Sequence, residues 1–122
     1  MRMAGFVTNI EEATEKNENF RQVLFTAPHS QLVVMSLKPN ENIEMEVHPN
    51  VDQFIRIESG QGKAILNGEE SALRGGSAVV IPAGTEHDIV NTSATETLKL
   101  YTIYSPPNHP DGTIHKTKAE AE

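Results

Sequence analysis

The chain has 122 residues, with 17 Asp and Glu against 10 Lys and Arg, and no cysteine. That length suits one domain with a real core. The net charge of −7 argues against a nucleic-acid surface, which needs clustered cations. The missing thiols exclude disulfides and thiolate metal or redox chemistry, so any metal site must use nitrogen and oxygen donors.

Residues 1–19 read as a lead-in. Met1 to Ile10 lacks the sustained apolar stretch of a secretory signal, and Met3 is an alternative start. No apolar run approaches the roughly 20 residues needed to cross a bilayer, so the expected location is cytoplasmic, with no membrane partner. Asn9–Asn19 is polar and acidic, and reads as a loop, a short helical turn or a flexible lead-in. From Phe20 the texture changes. Short β-branched and apolar runs follow at Val23–Ala27, Gln31–Lys38, Ile43–Val47, Gln53–Glu58, Lys63–Asn67, Ala78–Ile81, His87–Asn91 and Leu98–Tyr104. Runs at this spacing, split by Gly, Pro and Asn, predict an all-β sandwich or barrel over residues 20–104. Asn67-Gly68 between two such runs is a hairpin signal. Leu32–Leu37 and Leu98–Tyr104 are apolar on both parities, so each needs a second covering surface, such as another sheet or a partner subunit. A homodimer is the expectation. Residues 105–122 open with three prolines and read as an extended, partly flexible tail with a solvated end.

Two segments carry chemistry. One is Gly76-x5-Pro82-x-Gly84-x2-His87-x3-Asn91. There Gly76 permits a tight turn, Pro82 and Gly84 close the next, and His87 opens a strand pointing inward. The other is Glu46-x-His48-x4-Gln53-x6-Gly60. Glu46 and His48 are two apart on an extended run and leave the same face. Gln53, Ile55 and Ile57 share the inward parity, with Phe54, Arg56 and Glu58 outward.

Together these segments resemble the two cupin motifs, Gly-x5-His-x-His-x(3,4)-Glu-x6-Gly and Gly-x5-Pro-x-Gly-x2-His-x3-Asn. The second matches at every fixed position. The first departs where the leading Gly is expected (Asn40, Glu41 or a neighbour), at Glu46 for the first His, and at Gln53 for the Glu. The resemblance implies a double-stranded β-helix, or jelly-roll, barrel holding one divalent metal ion (Zn, Mn, Fe or Ni) on Glu46, His48, Gln53 and His87. Asp52 is the rival third ligand, but Gln53 has the family's distance to Gly60.

Glu46, His48 and His87 form a two-His-one-carboxylate set of the kind that suits non-haem iron. The wider inventory of one Gln, one Glu and two His is similar to that of phosphomannose isomerases, and stand-alone cupins of this kind are grouped as mannose-6-phosphate isomerase-like. Three functions follow as expectations, all with a small-molecule ligand or substrate. The first is a metal-dependent, isomerase-like enzyme on a small polar or sugar-like molecule. The second is an Fe or Mn dioxygenase-type cupin, and the third a non-enzymatic ligand-binding module. No catalytic acid or base is assigned. His29, His109 and His115 read as surface residues, with pocket lidding by either tail histidine as the lesser reading. Arg56 and Arg74 read as surface cations, with Arg56 in an ion pair. Met35, Lys63 and Tyr101 are possible pocket liners.

Overall fold

The computed structural model describes residues 4–121, so Met1, Arg2, Met3 and Glu122, including the alternative start at Met3, lie outside the described residues. Two antiparallel sheets form the molecule. The strands are β1 (Arg21–Thr26), β2 (Gln31–Leu37), β3 (Asp52–Ser59), β4 (Gln61–Leu66), β5 (Glu69–Arg74), β6 (Ala78–Ile81), β7 (His87–Asn91), β8 (Leu98–Ser105) and β9 (Ile114–His115). The larger sheet has the order β6-β3-β8-β2-β1-β9, and the smaller the order β5-β4-β7. This is the expected jelly roll. Its core is aliphatic: Val33, Met35, Leu37, Ile55, Ile57, Leu98 and Leu100 of the large sheet meet Ala64, Leu73 and Ile89 of the small one.

Strand β3 alternates as the sequence requires, with Gln53, Ile55 and Ile57 buried and Phe54, Arg56 and Glu58 less so. Asn67-Gly68 joins β4 to β5 with φ of 48° and 82°, the left-handed pair a two-residue hairpin needs. Two local differences from the sequence reading have physical causes. Residues 43–47 form no strand. They meet β7 through the isolated bridge Glu46↔His87, the Ile43 amide on the Ile89 carbonyl (2.9 Å) and the Glu44 amide on Asp88 Oδ1 (2.9 Å), and Glu44 breaks the run with φ of 130°. Strand β5 was not anticipated, because Glu69–Arg74 is polar and only Leu73 is buried.

The lead-in contains α1 (Ile10–Lys16), capped by Asn9, whose Oδ1 accepts from the Glu12 amide at 3.0 Å. It packs over β2, β3 and β8. Lys99 of β8 fixes its C-terminal end by donating to the carbonyls of Glu15 (2.8 Å) and Asn17 (2.7 Å). Part of the apolar outer face of β2 and β8 is therefore covered by the chain's own helix.

The tail carries regular structure. Strand β9 pairs with β1 in the register Arg21↔His115, and residues Lys118–Ala121 form the short helix α2. Gln31, fully buried, anchors the tail's start: its Nε2 donates to the His109 carbonyl (2.7 Å), and its Oε1 accepts from the Asn108 and His109 amides (3.1 and 3.0 Å). Contrary to a surface placement, the His109 ring packs edge-on against Tyr104 at 5.1 Å, and His115 Nδ1 lies 3.3 Å from Arg21 Nη1. His29 is exposed, as expected.

Asn91 shows what the last residue of the second motif does. Its Nδ2 donates to the carbonyls of Leu37 (3.1 Å), Lys38 (3.1 Å) and Glu96 (2.8 Å), while its Oδ1 accepts from the Ser93 amide (2.9 Å). One side chain thus ties the end of β2 to the turn between β7 and β8. Asn91→Ala leaves buried carbonyls unpaired and should cost about 3 kcal/mol in urea unfolding; a loss below about 1 kcal/mol would contradict this role.

Burial, aided by Arg21, His115 and His48, lowers the His109 pKa from 6.5 to about 4. The unfolded chain binds the proton more readily, so this contribution is complete above about pH 6.5 and is lost as pH falls toward about 4. Between neutral pH and about pH 5, the urea midpoint of the wild type should fall further than that of His109→Asn. Parallel falls in the two proteins would contradict the shift.

Candidate metal centre

The two motifs are joined through the backbone before any side chain meets. Glu46 and His87 exchange N–H···O bonds in both directions, each 2.9 Å, and the Gly84 amide donates to the His48 carbonyl at 2.8 Å. The turn that precedes this segment places Asn40 at a φ of 65°. Asn40 occupies the position of the motif's leading glycine, and asparagine is a side chain that tolerates that conformation. Gly60, which ends the first motif, has φ of 98°, and a Cβ there would lie 2.6 Å from the Thr97 carbonyl oxygen. Both ends of the first motif are therefore held by local backbone geometry.

Glu46, His48, Gln53 and His87 line one small cavity, completed by Ile43, Ile89 and Tyr104. Its volume is ≈ 10 Å³, room for about one water-sized occupant. His48 Nε2 lies 3.1 Å from Glu46 Oε2, and the His48 and His87 ring centroids are 5.1 Å apart. Burial, reinforced by His87 and Arg21 and opposed by Glu46, lowers the His48 pKa. Its neutral form is the one that ligates metals. His87 Nδ1 faces the Thr85 carbonyl at 2.9 Å. A neutral ring must therefore carry its proton on Nδ1, which leaves Nε2 as the coordinating nitrogen.

Gln53 is buried on β3, between Ile81 of β6 and Tyr104 of β8. Its Nε2 donates to Thr102 Oγ1 at 3.0 Å, and its buried Oε1 has no partner. Asp52, the rival, is exposed and accepts from the Ala83 amide at 2.8 Å. It stays outside the cavity.

Whether this set suits a divalent ion turns on three observations. Among the described residues, no three His, Asp or Glu side chains are already disposed as a metal cluster; Glu46 turns to His48 instead. The contact it makes is nevertheless the spacing of two neighbouring ligands, because donors about 2.1 Å from one ion at a right angle lie about 3.0 Å apart. The orphaned Gln53 Oε1 supplies a buried acceptor in want of a cation, and His87 has its tautomer already fixed. Two imidazoles, one carboxylate and one amide oxygen are donor types that suit a divalent ion.

The other sequence candidates lie elsewhere. Met35 is in the hydrophobic core. Lys63 pairs with Glu70 at 3.2 Å, and Tyr101 packs on Phe54 with ring centroids 6.3 Å apart. Arg56 bonds Glu58 at 2.6 Å, and Arg74 is exposed. The cavity gains Tyr104, which sequence reasoning did not single out. Its inward parity on β8, shared with Leu98, Leu100 and Thr102, was the available signal. Burial raises its hydroxyl to about 12, so it stays a neutral phenol.

Comparison with known proteins agrees with this architecture. The cupin domain family matches residues 33–104. The uncharacterized protein YrkC of Bacillus subtilis (strain 168) is 50% identical over 122 residues, covering 95% of this chain and 65% of that protein. The chain thus spans just under two thirds of that relative's length. The uncharacterized protein L612 of Acanthamoeba polyphaga mimivirus is 52% identical over 112 residues, covering 89% of this chain and 70% of that one. The crystal structure of BH2720 from Bacillus halodurans superposes with a TM-score of 0.93 at 43% identity, covering 95% of this chain and 92% of that chain. With its second motif intact and the matched region spanning most of both sheets, this chain belongs to the cupin family.

Proposed function

We propose that this cupin is metal-dependent, and that it is an enzyme acting on a small polar molecule beside one divalent ion held by Glu46, His48, Gln53 and His87. The observation that carries the reading is the unpartnered Gln53 Oε1, buried against two imidazoles and a carboxylate. A buried acceptor with no donor is costly, and a cation would satisfy it while drawing Glu46 and His48 to the same point. When bound, the ion supplies Lewis-acid polarisation of a carbonyl or hydroxyl.

The chain's own groups do the rest. Thr102 orients the Gln53 amide and the Thr85 carbonyl fixes the His87 tautomer. Ile43 and Ile89 keep the cavity apolar around the donors. Tyr104, neutral at physiological pH, offers a hydroxyl that can donate to a substrate oxygen. Oxalate decarboxylase-like and sugar phosphate isomerase-like cupins share the fold at TM-scores of 0.60 and 0.59, with 21% and 22% identity. That likeness is of fold alone. A metal-polarised, isomerase-like step on a sugar-like molecule is the reading we favour.

Protein purified without added metal should contain about one divalent ion per chain by elemental analysis, and His48→Ala and His87→Ala should lose it. Zinc supports polarisation chemistry, whereas iron or manganese supports an oxidative reaction at the same donors. Absence of metal from folded wild-type protein, or full retention by both variants, would refute the site. Gln53→Leu separates ligand from scaffold. It removes an acceptor that nothing in the chain satisfies, so the metal-free protein should lose little stability, while metal affinity falls by about tenfold or more. Unchanged affinity would remove Gln53 from the ligand set.

A further inference from the structure

A second cavity, ≈ 290 Å³ in volume, adjoins the first and shares Ile43 and Glu46 with it. Its remaining walls come from Phe20 and Arg21 at the start of β1, from Glu44, and from His109, Lys118 and Ala121 of the tail. A space of this size holds a small metabolite, whereas the cavity among the metal donors does not.

Arg21 is the anomaly in this wall. It is only 6% exposed, yet its Nε is buried without a hydrogen-bond partner. Among the described residues it forms no salt bridge. Its Nη1 meets the ring nitrogen of His115 at 3.3 Å, its guanidinium carbon lies 5.3 Å from the Phe20 ring centroid, and the Tyr104 hydroxyl is beside it. The guanidinium cannot shed its proton, so burial without an anion is unfavourable at any ordinary pH. The Phe20 ring face compensates the charge only in part. His109 and Tyr104, packed edge-on against each other, supply no carboxylate. Lys118 is already committed to Glu44 (3.0 Å) and Asn42 (2.6 Å). Glu46, the other carboxylate in the wall, is taken up by the metal in the reading above.

We propose that Arg21 is an anion-binding residue of this second cavity, and that the molecule handled beside Glu46 carries a carboxylate or phosphate group seated on the Arg21 guanidinium. The planar fork suits either oxyanion. The tail forms the opposite wall, since β9 brings His115 to Arg21 and α2 places Lys118 over residues 42–44. The proposal deepens the metal-site reading and rests on it for the neutralisation of Glu46.

The test is a nuclear magnetic resonance titration of the whole chain, zinc-free and zinc-saturated, following the Arg21 Nε–H resonance assigned through its own side-chain carbons. The probes are methyl phosphate and glycolate, with glycolamide as the uncharged control. A saturable shift of the Arg21 resonance with either anion, but not with glycolamide, is expected, and whichever probe acts identifies the oxyanion. Arg21→Gln should weaken that binding by about tenfold or more. No shift with either anion in both forms of the protein, or an equal shift with glycolamide, would overturn the assignment. The wild-type titration decides the matter even if Arg21→Gln fails to fold. The His48 and His87 ring resonances report zinc binding in the same samples. A failed metal site is thus distinguished from a failed anion site.

Discussion

A polar atom buried without a partner is the constraint that gives this barrel its meaning. The interior is aliphatic, and almost every polar group inside it is paired. Asn91 ties the end of β2 to the turn between β7 and β8, Gln31 holds the tail, and Thr102 steadies Gln53. Two buried side-chain atoms break the rule among the described residues, Gln53 Oε1 and Arg21 Nε. Both belong to side chains lining the two adjoining cavities at one end of the barrel, one calling for a cation and the other for an anion. A metal ion and an oxyanion ligand would satisfy both. Unfavourable burial in the free protein is a common cost of groups preorganised for a ligand.

The scaffold explains how such groups are held there. Gln53 is locked between two strands, and its neighbours Ile55 and Ile57 fill the core below it. His87 begins β7, and its backbone pairing with Glu46 draws the irregular 43–47 segment against the small sheet. That segment is free of strand geometry on its other side, which lets Glu46 and His48 turn toward the cavity while Met45 and Val47 face outward, each about half exposed. The tail then closes the second cavity from above. Gln53 and His87 therefore rest on strands, Glu46 and His48 on the segment held against β7, and the larger space is bounded partly by a segment pinned at Gln31, Arg21 and Asn42.

How much of this was legible depended on whether a residue's role was local. The second motif could be read because Gly76, Pro82 and Gly84 encode turns by their own backbone limits, which also fixes the parity of His87 and Asn91. The altered first motif was legible in its cavity-lining residues, since the inward side of Gln53 follows from alternation along β3. Asn40 in place of the leading glycine is explained by its left-handed φ. Strand β5 escaped notice because its polar residues show no inward face. The tail escaped for a different reason. Its bonds to Gln31 span 77 and 78 residues, and the contact between His115 and Arg21 spans 94. No local pattern in Ser105–Glu122 announces them. Arg21 itself, at the edge of an ordinary amphipathic strand, gave no signal until β9 and the second cavity surrounded it.

What satisfies Gln53 Oε1 decides whether the cavity is a metal centre. The most direct measurement is anomalous diffraction at metal absorption edges from crystals of protein purified without added metal. A single anomalous peak about 2.0–2.3 Å from His48 Nε2, His87 Nε2 and Glu46, with Gln53 Oε1 turned toward it, is the predicted result. An ordered water in that position, with no anomalous signal and Gln53 Oε1 bonded to a protein donor, would contradict it.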